Sequence, residues 1–237
     1  MNRFFKLVAP MVALFTVGIV PAVSQTAPAL PVIAIQQVDA ADSTTYAMWV
    51  ARNNELVKAK LGIDKFVRVY IGVAAGDESG TLLAVRRADS FATLSNNWQA
   101  VMADPAFAEN RASMDAIREL GSQTLLKALR FDGTNPDAWL LNTQAMVSDE
   151  AGYMKALEEL RALYDRHGLK DAKINAYRVA AGRGKYSHLI SINTPSAERL
   201  AAVLDTVSTA PWMAEWLADT AQYRTIVRNG TYREITR

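Results

Sequence analysis

The sequence predicts an α+β protein in which one β-α-β-β-α-β unit occurs twice in tandem. Two observations predict it. A stretch of the first half returns in the second at a fixed offset of 106 residues, and strand and helix signals follow the same order in both halves.

The repeat is plainest at Val73-Ala74-Ala75-Gly76, which returns as Val179-Ala180-Ala181-Gly182. At the same offset Leu83 aligns with Leu189, Ser90 with Ser196, Leu94 with Leu200 and Val101 with Val207. Pro105, Ala108 and Glu109 align with Pro211, Ala214 and Glu215, so that 11 of the 37 positions from 73 to 109 are identical. Unrelated segments of ordinary composition would share about 2 or 3. Upstream, Met48 aligns with Met154 and Gly62 with Gly168. The turn signals Asp132-Gly133 and Asn135-Pro136 divide the copies into residues 32–131 and 139–237, with a linker at 132–138.

In the second copy, the apolar run 139–147 predicts a strand. Ser148 is placed to cap a helix that begins with Asp149 and Glu150, carries Tyr153, Leu157, Leu160 and Tyr164 at helical spacing, and stops at Gly168. Residues 173–181 and 186–194 read as strands joined by a hairpin at Gly182-Arg183-Gly184. Ser196 caps a second helix with Leu200, Val203, Leu204 and Val207 as its apolar stripe, and Pro211 opens a short continuation helix. A last strand covers about 223–234, with a bend or bulge expected at Asn229-Gly230. The first copy repeats this with a strand from Val32, a helix over 44–61, and strands at 66–74 and 81–87. A helix from Ser90 carrying Leu94, Trp98, Val101 and Met102 follows, then a continuation helix from Pro105 and a strand near 123–131.

This is the split ferredoxin-like order, an antiparallel sheet with both helices on one face. The other face of each sheet is bare and would expose a large apolar patch. Two copies in one chain can cover each other, sheet to sheet, as a pseudo-dimer around a barrel-like space. With its Pro-initiated short helices and nearby aromatics (Pro105 with Phe107; Pro211 with Trp212 and Trp216), the chain resembles the dimeric α/β-barrel superfamily. That group includes antibiotic-biosynthesis-type monooxygenases and chlorite dismutase-like haem proteins. The resemblance implies a ligand held between a sheet and its helices or inside the barrel; it names no activity.

The N-terminus has the order of a secretory signal: Arg3 and Lys6, then an apolar run from Leu7 to Val20, then Pro21 and small residues at Ala22 and Ser24. The run is shorter than the roughly 20 apolar residues of a spanning helix. Cleavage is expected after Ser24, with 25–31, rich in Ala, Pro and Thr, as a disordered lead-in and a periplasmic or secreted product. Removing Arg3 and Lys6 turns 26 basic and 24 acidic side chains into 24 of each. A neutral chain offers no broad field for nucleic acid or an anionic membrane. The absence of cysteine excludes disulfides, a thiolate nucleophile and cysteine-ligated metal.

Chemistry-bearing residues are few. His167 sits at a helix end, where an imidazole commonly satisfies terminal carbonyls. His188 lies on a strand opposite Leu82 of the first copy, and is the one residue offered for haem. No Gly-x-Ser-x-Gly elbow occurs, and the glycines at 76–80 and 182–184 lie between strands, as hairpins rather than phosphate loops. Glu109 and Glu215 occupy equivalent places and suit helix N-termini. The aromatics Trp98, Phe107, Trp212 and Trp216 are core packing or the wall of a pocket. Asn142, Gln144, Asn175, Tyr177, Arg178 and His188 are then its candidate polar contacts, although Tyr177 and Arg178 must face opposite ways. The expectation is an exported binder of a small, partly apolar or aromatic molecule, with no cofactor assigned. A cofactor-independent monooxygenase and a haem protein are the alternatives. Further homo-oligomerisation is compatible with the sequence.

Overall fold

The computed structural model describes residues 29–182 and 184–236. The expected signal peptide, most of the lead-in and Arg183 of the expected hairpin lie outside the described residues. The elements run β1 (Val32–Ala40), α1 (Ser43–Leu61), β2 (Arg68–Ala74), a 3-10 turn (Gly76–Glu78), β3 (Leu82–Ala88), α2 (Phe91–Met102), α3 (Pro105–Asp115) and β4 (Arg118–Phe131). The second copy follows with β5 (Trp139–Val147), α4 (Glu150–Arg166), β6 (Lys173–Gly182), β7 (His188–Thr194), α5 (Ala197–Thr209), α6 (Pro211–Thr220) and β8 (Arg224–Glu234).

Each copy forms an antiparallel sheet in the order 4-1-3-2 of its own strands. The sheets face each other as expected, and they also join at both edges. β2 pairs with β8 and β4 with β6, closing one eight-stranded antiparallel barrel with the helices outside. Closure removes the edge strands that an open sheet would have to protect. At one seam Arg68 pairs with Glu234 at 3.0 Å, and the Val69 N–H donates to Thr236 Oγ1 at 3.1 Å. The shared Val-Ala-Ala-Gly ends in both copies on a glycine of positive φ, 58° at Gly76 and 127° at Gly182. A Cβ on Gly182 would stand 2.6 Å from the Gln123 carbonyl oxygen, so the β4–β6 seam requires glycine there.

Strand alternation sends one set of side chains to the helices and the other into the lumen. Lumen clusters mix the copies: Tyr70, Leu83, Leu140 and Tyr232 meet in one, Ile33, Leu126, Tyr177 and Leu189 in the other. The helix-facing core of the second copy is a single cluster from Leu141 to Trp216, built wholly from that copy. Its counterpart in the first copy is broken into three smaller clusters.

Local details depart from expectation in four places. The α4 cap is Asp149, whose carboxylate accepts from the Gly152 N–H at 3.0 Å, while the Ser148 hydroxyl donates to the Tyr223 carbonyl at 3.0 Å. A carboxylate adds charge complementarity to the helix dipole that a hydroxyl lacks. β4 begins at Arg118, because its polar start pairs with Val38–Ala40 beyond a register shift. The bulge of β8 falls at Val227; Asn229 and Gly230 pair in register with Thr143 and Asn142. Leu204 of the expected apolar stripe on α5 is exposed.

Candidate ligand-binding site

The fold leaves space in two kinds of place: between each sheet and its helices, and within the lumen. The sheet–helix cavity of the first copy measures about 320 Å³ and that of the second about 170 Å³. Two lumen cavities, about 290 and 180 Å³, meet at a layer shared by Ile35, Leu83, Asn142 and Leu189.

Because the copies fold alike, the second serves as an internal control for the first. Helices α1 and α4 start from matching Asp caps, Asp42 and Asp149, which sets their offset at 107; β3, β7 and the following helices keep 106. On that correspondence Asn53, Arg86, Trp98 and Arg111 of the larger cavity occupy the places of Leu160, Ile192, Leu204 and Leu217. Other polar residues there have counterparts with the same structural duty. Arg118 lies over the rings of Tyr46 and Trp49, at 5.9 and 5.4 Å, as Arg224 lies over Tyr153 and Trp216, at 5.3 and 5.5 Å. The Trp49 indole donates to the Asn110 carbonyl (3.0 Å) from first helix to third; the Trp216 indole donates to Ala156 (2.9 Å) from third to first. Asn54 holds the backbone of Val67 just before its strand, and Arg161 holds that of Ala172. Subtracting these shared devices leaves Asn53, Arg86, Trp98 and Arg111 as features of the first copy alone.

Their surroundings are aromatic and positively charged. Tyr46, Trp49, Phe107, Trp98 and Phe66 form a continuous series of ring contacts, each pair 6.2–6.5 Å apart. The Arg86 guanidinium lies 4.2 Å from the centroid of Trp98. Arg111 pairs with Asp115 at 3.3 Å, but Arg86 has no carboxylate partner among the described residues, and no acidic side chain lines the cavity. Burial lowers the pKa of Arg86 and raises that of Tyr46, the latter offset in part by Arg118. Asn53, 4 % exposed, donates to the Trp49 carbonyl at 2.8 Å, while its Oδ1 is buried with no partner. Such an atom is costly to leave unsatisfied.

The structure disperses the nine side chains singled out from the sequence. Trp98 alone lines the first-copy cavity. Asn142 and Gln144 face the lumen, where Asn142 Oδ1 is buried without a partner. Tyr177 also faces the lumen, and Asn175 is held by the backbone of Asp132 and Gly133 at 2.9 Å each. Arg178 points outward and pairs with Glu150 at 3.2 Å. Trp212 stacks on His167 at 4.5 Å and packs edge-on against Tyr164. Trp216 is in the second-copy core. Glu109 and Glu215 are both exposed. Sequence reasoning missed Asn53 and Arg86. For Arg86 the signal was in the repeat, where it aligns with Ile192 at the offset already in hand; Asn53 aligns with Leu160 only after the one-residue shift that the caps Asp42 and Asp149 set.

Neither histidine is placed to ligate a haem. His188 Nε2 lies 2.9 Å from Glu150 Oε2 and Nδ1 lies 2.9 Å from Ser187 Oγ, leaving no ring nitrogen for iron. His167 is exposed with its face covered by Trp212, and neither histidine lines the cavities.

No protein-family model and no curated protein sequence matches this chain. Solved structures match it over most of its length. One, titled a "putative monooxygenase" from Fusobacterium nucleatum subsp. nucleatum ATCC 25586, has TM-score 0.55 and 12% identity, covering 87% of this chain and 92% of that one. A second, also titled a "putative monooxygenase", from Lactobacillus acidophilus NCFM, has TM-score 0.55 and 9% identity over 87% and 93%. A "putative chlorite dismutase" has TM-score 0.51 and 10% identity over 87% and 95%. At such identities the likeness is one of fold, and the fold is the dimeric α/β barrel carried in one polypeptide.

Proposed function

We propose that this chain is an exported protein that binds a small aromatic molecule between the sheet and helices of its first repeat. One observation carries the reading: where the second copy fills this space with leucine and isoleucine, the first places Asn53, Arg86 and Trp98 around about 320 Å³ of space. An apolar cavity with a few convergent polar groups is the usual form of a small-molecule site. Thermal-shift screening with aromatic acids, quinols and neutral bicyclic aromatics tests it. Ligand at about 100 times its Kd stabilises by about 2.7 kcal/mol, or roughly 5–10 °C in a domain of this size. Hits should quench tryptophan fluorescence, and Trp98→Leu, the residue of the second copy, should remove most of that quench. A screen without hits would defeat the reading. Export is supported by the signal-like N-terminus; intact mass of periplasmic material should show a chain beginning at Gln25, and an uncleaved precursor would count against it.

A second reading, a cofactor-independent oxygenase, draws on the same cavity. There an electron-rich aromatic anion would be held beside Arg86, the substrate supplying the electrons and dioxygen accepting them. Oxygen uptake with a quinol that scores as a thermal-shift hit separates enzyme from binder.

A further inference from the structure

We infer that the molecule held in the first-repeat cavity is an aromatic carboxylate, its charged group on Arg86 and its ring among Trp98, Phe66 and Phe107. The inference rests on the cavity being a binding site and specifies what it binds. Among the described residues Arg86 is a charge without a carboxylate partner. A guanidinium drawn into an apolar wall loses hydration and normally recovers it through a carboxylate. Arg118, also half-buried, has Asp115 at 3.0 Å, and Arg68 has Glu234 at 3.0 Å. Among the described residues Arg86 has only the face of Trp98, and the cavity it enters carries arginines without an acidic side chain. Its counterpart Ile192 shows that the fold does not need a cation at this place.

Planarity supplies the rest. A guanidinium lying over an indole keeps its edge free for a bidentate contact with a carboxylate. The rings of Phe66 and Trp98 are nearly parallel (16°), and Phe107 meets Trp98 edge-on (81°), which suits a flat body better than a branched aliphatic one. Asn53 Oδ1, buried and unpartnered in the same cavity, can accept one hydrogen bond from a hydroxyl on that body.

Titration calorimetry with 2-naphthoate and its neutral isostere 2-naphthamide provides the test. The full-length mature chain should bind the acid at least about tenfold more tightly than the amide, a difference of about 1.4 kcal/mol. Arg86→Gln should erase that preference by weakening the acid alone, and Arg86→Lys should restore part of it. Circular dichroism of both variants should match the parent, and their melting temperatures should stay within a few degrees of it, because among the described residues Arg86 makes no ion pair and its replacement by Gln loses only the contact with Trp98. Equal binding of acid and amide, with Arg86→Gln affecting neither, would overturn the charge assignment and leave the binding reading standing. Failure of both probes, together with an empty thermal-shift screen, would overturn the two at once. Collapse of the fold in Arg86→Gln, with Arg86→Lys also unable to discriminate, would instead make Arg86 a structural residue and end the inference.

Discussion

Replacing Asn53 by Leu and Arg86 by Ile should make the protein more stable and abolish its binding of aromatic acids. The substitutions copy the second repeat, where Leu160 and Ile192 close the equivalent space down to about 170 Å³. Removing the orphaned Asn53 Oδ1 relieves an unsatisfied acceptor, worth about 1–3 kcal/mol. Two better-buried aliphatic side chains add about 1.5 kcal/mol or more each. Against this stand the hydrogen bond from Asn53 to Trp49, about 1 kcal/mol, and the Arg86–Trp98 contact, about 1 kcal/mol. The balance is a gain of about 2–4 kcal/mol, read as roughly 4–16 °C in the melting temperature. Affinity for 2-naphthoate should fall at least about 100-fold, since space and charge go together. Binding sites commonly hold such unspent stability. A double variant that melts below the parent would mean that the two residues support the fold rather than a ligand.

That comparison also explains which parts of the molecule the sequence disclosed. Element order was legible because both copies carry the same caps and stops, Ser90 with Ser196 and Pro105 with Pro211, and each does the expected work at a helix start. The covering of one sheet by the other followed from the bare faces alone. Closure at both seams did not. It depends on pairing between residues far apart in the chain, Phe131 with Asn175 at one seam and Tyr70 with Glu234 at the other, and leaves no local periodicity. The polar beginning of β4 was illegible for the same reason. In the site, the aromatic type of Trp98 gave it away, whereas Asn142, Asn175, Tyr177 and His188 drew notice as polar residues on strands. Three of those four face the lumen, and His188 is paired with Glu150. Arg86, one arginine among many, carries no mark of its own in the sequence; its place on the helix-facing side of β3 sets it apart.

The second repeat, produced alone as residues 132–237, should fold and then dimerise. Its helix-facing core is complete within itself, running from Leu141 through Tyr164 and Ile192 to Trp216 with no residue from the first copy. What it lacks is cover for Leu140, Tyr177, Leu189 and Tyr232 on the lumen face, and partners for the edges of β6 and β8. A second copy supplies both. In the intact chain the second strand of each repeat pairs with the fourth of the other, so two identical halves can set β6 of each against β8 of its partner around a two-fold axis. Apolar burial across the lumen and two restored strand ladders act in the same direction, so the monomer should be scarce at micromolar concentration. Light scattering after size exclusion should return twice the fragment mass, with cooperative melting that rises with concentration. The first repeat alone should fare worse, because its core is divided around the cavity. A second repeat that remains a folded monomer would show that its lumen face tolerates water, and closure of the barrel could then not be what holds the two halves together.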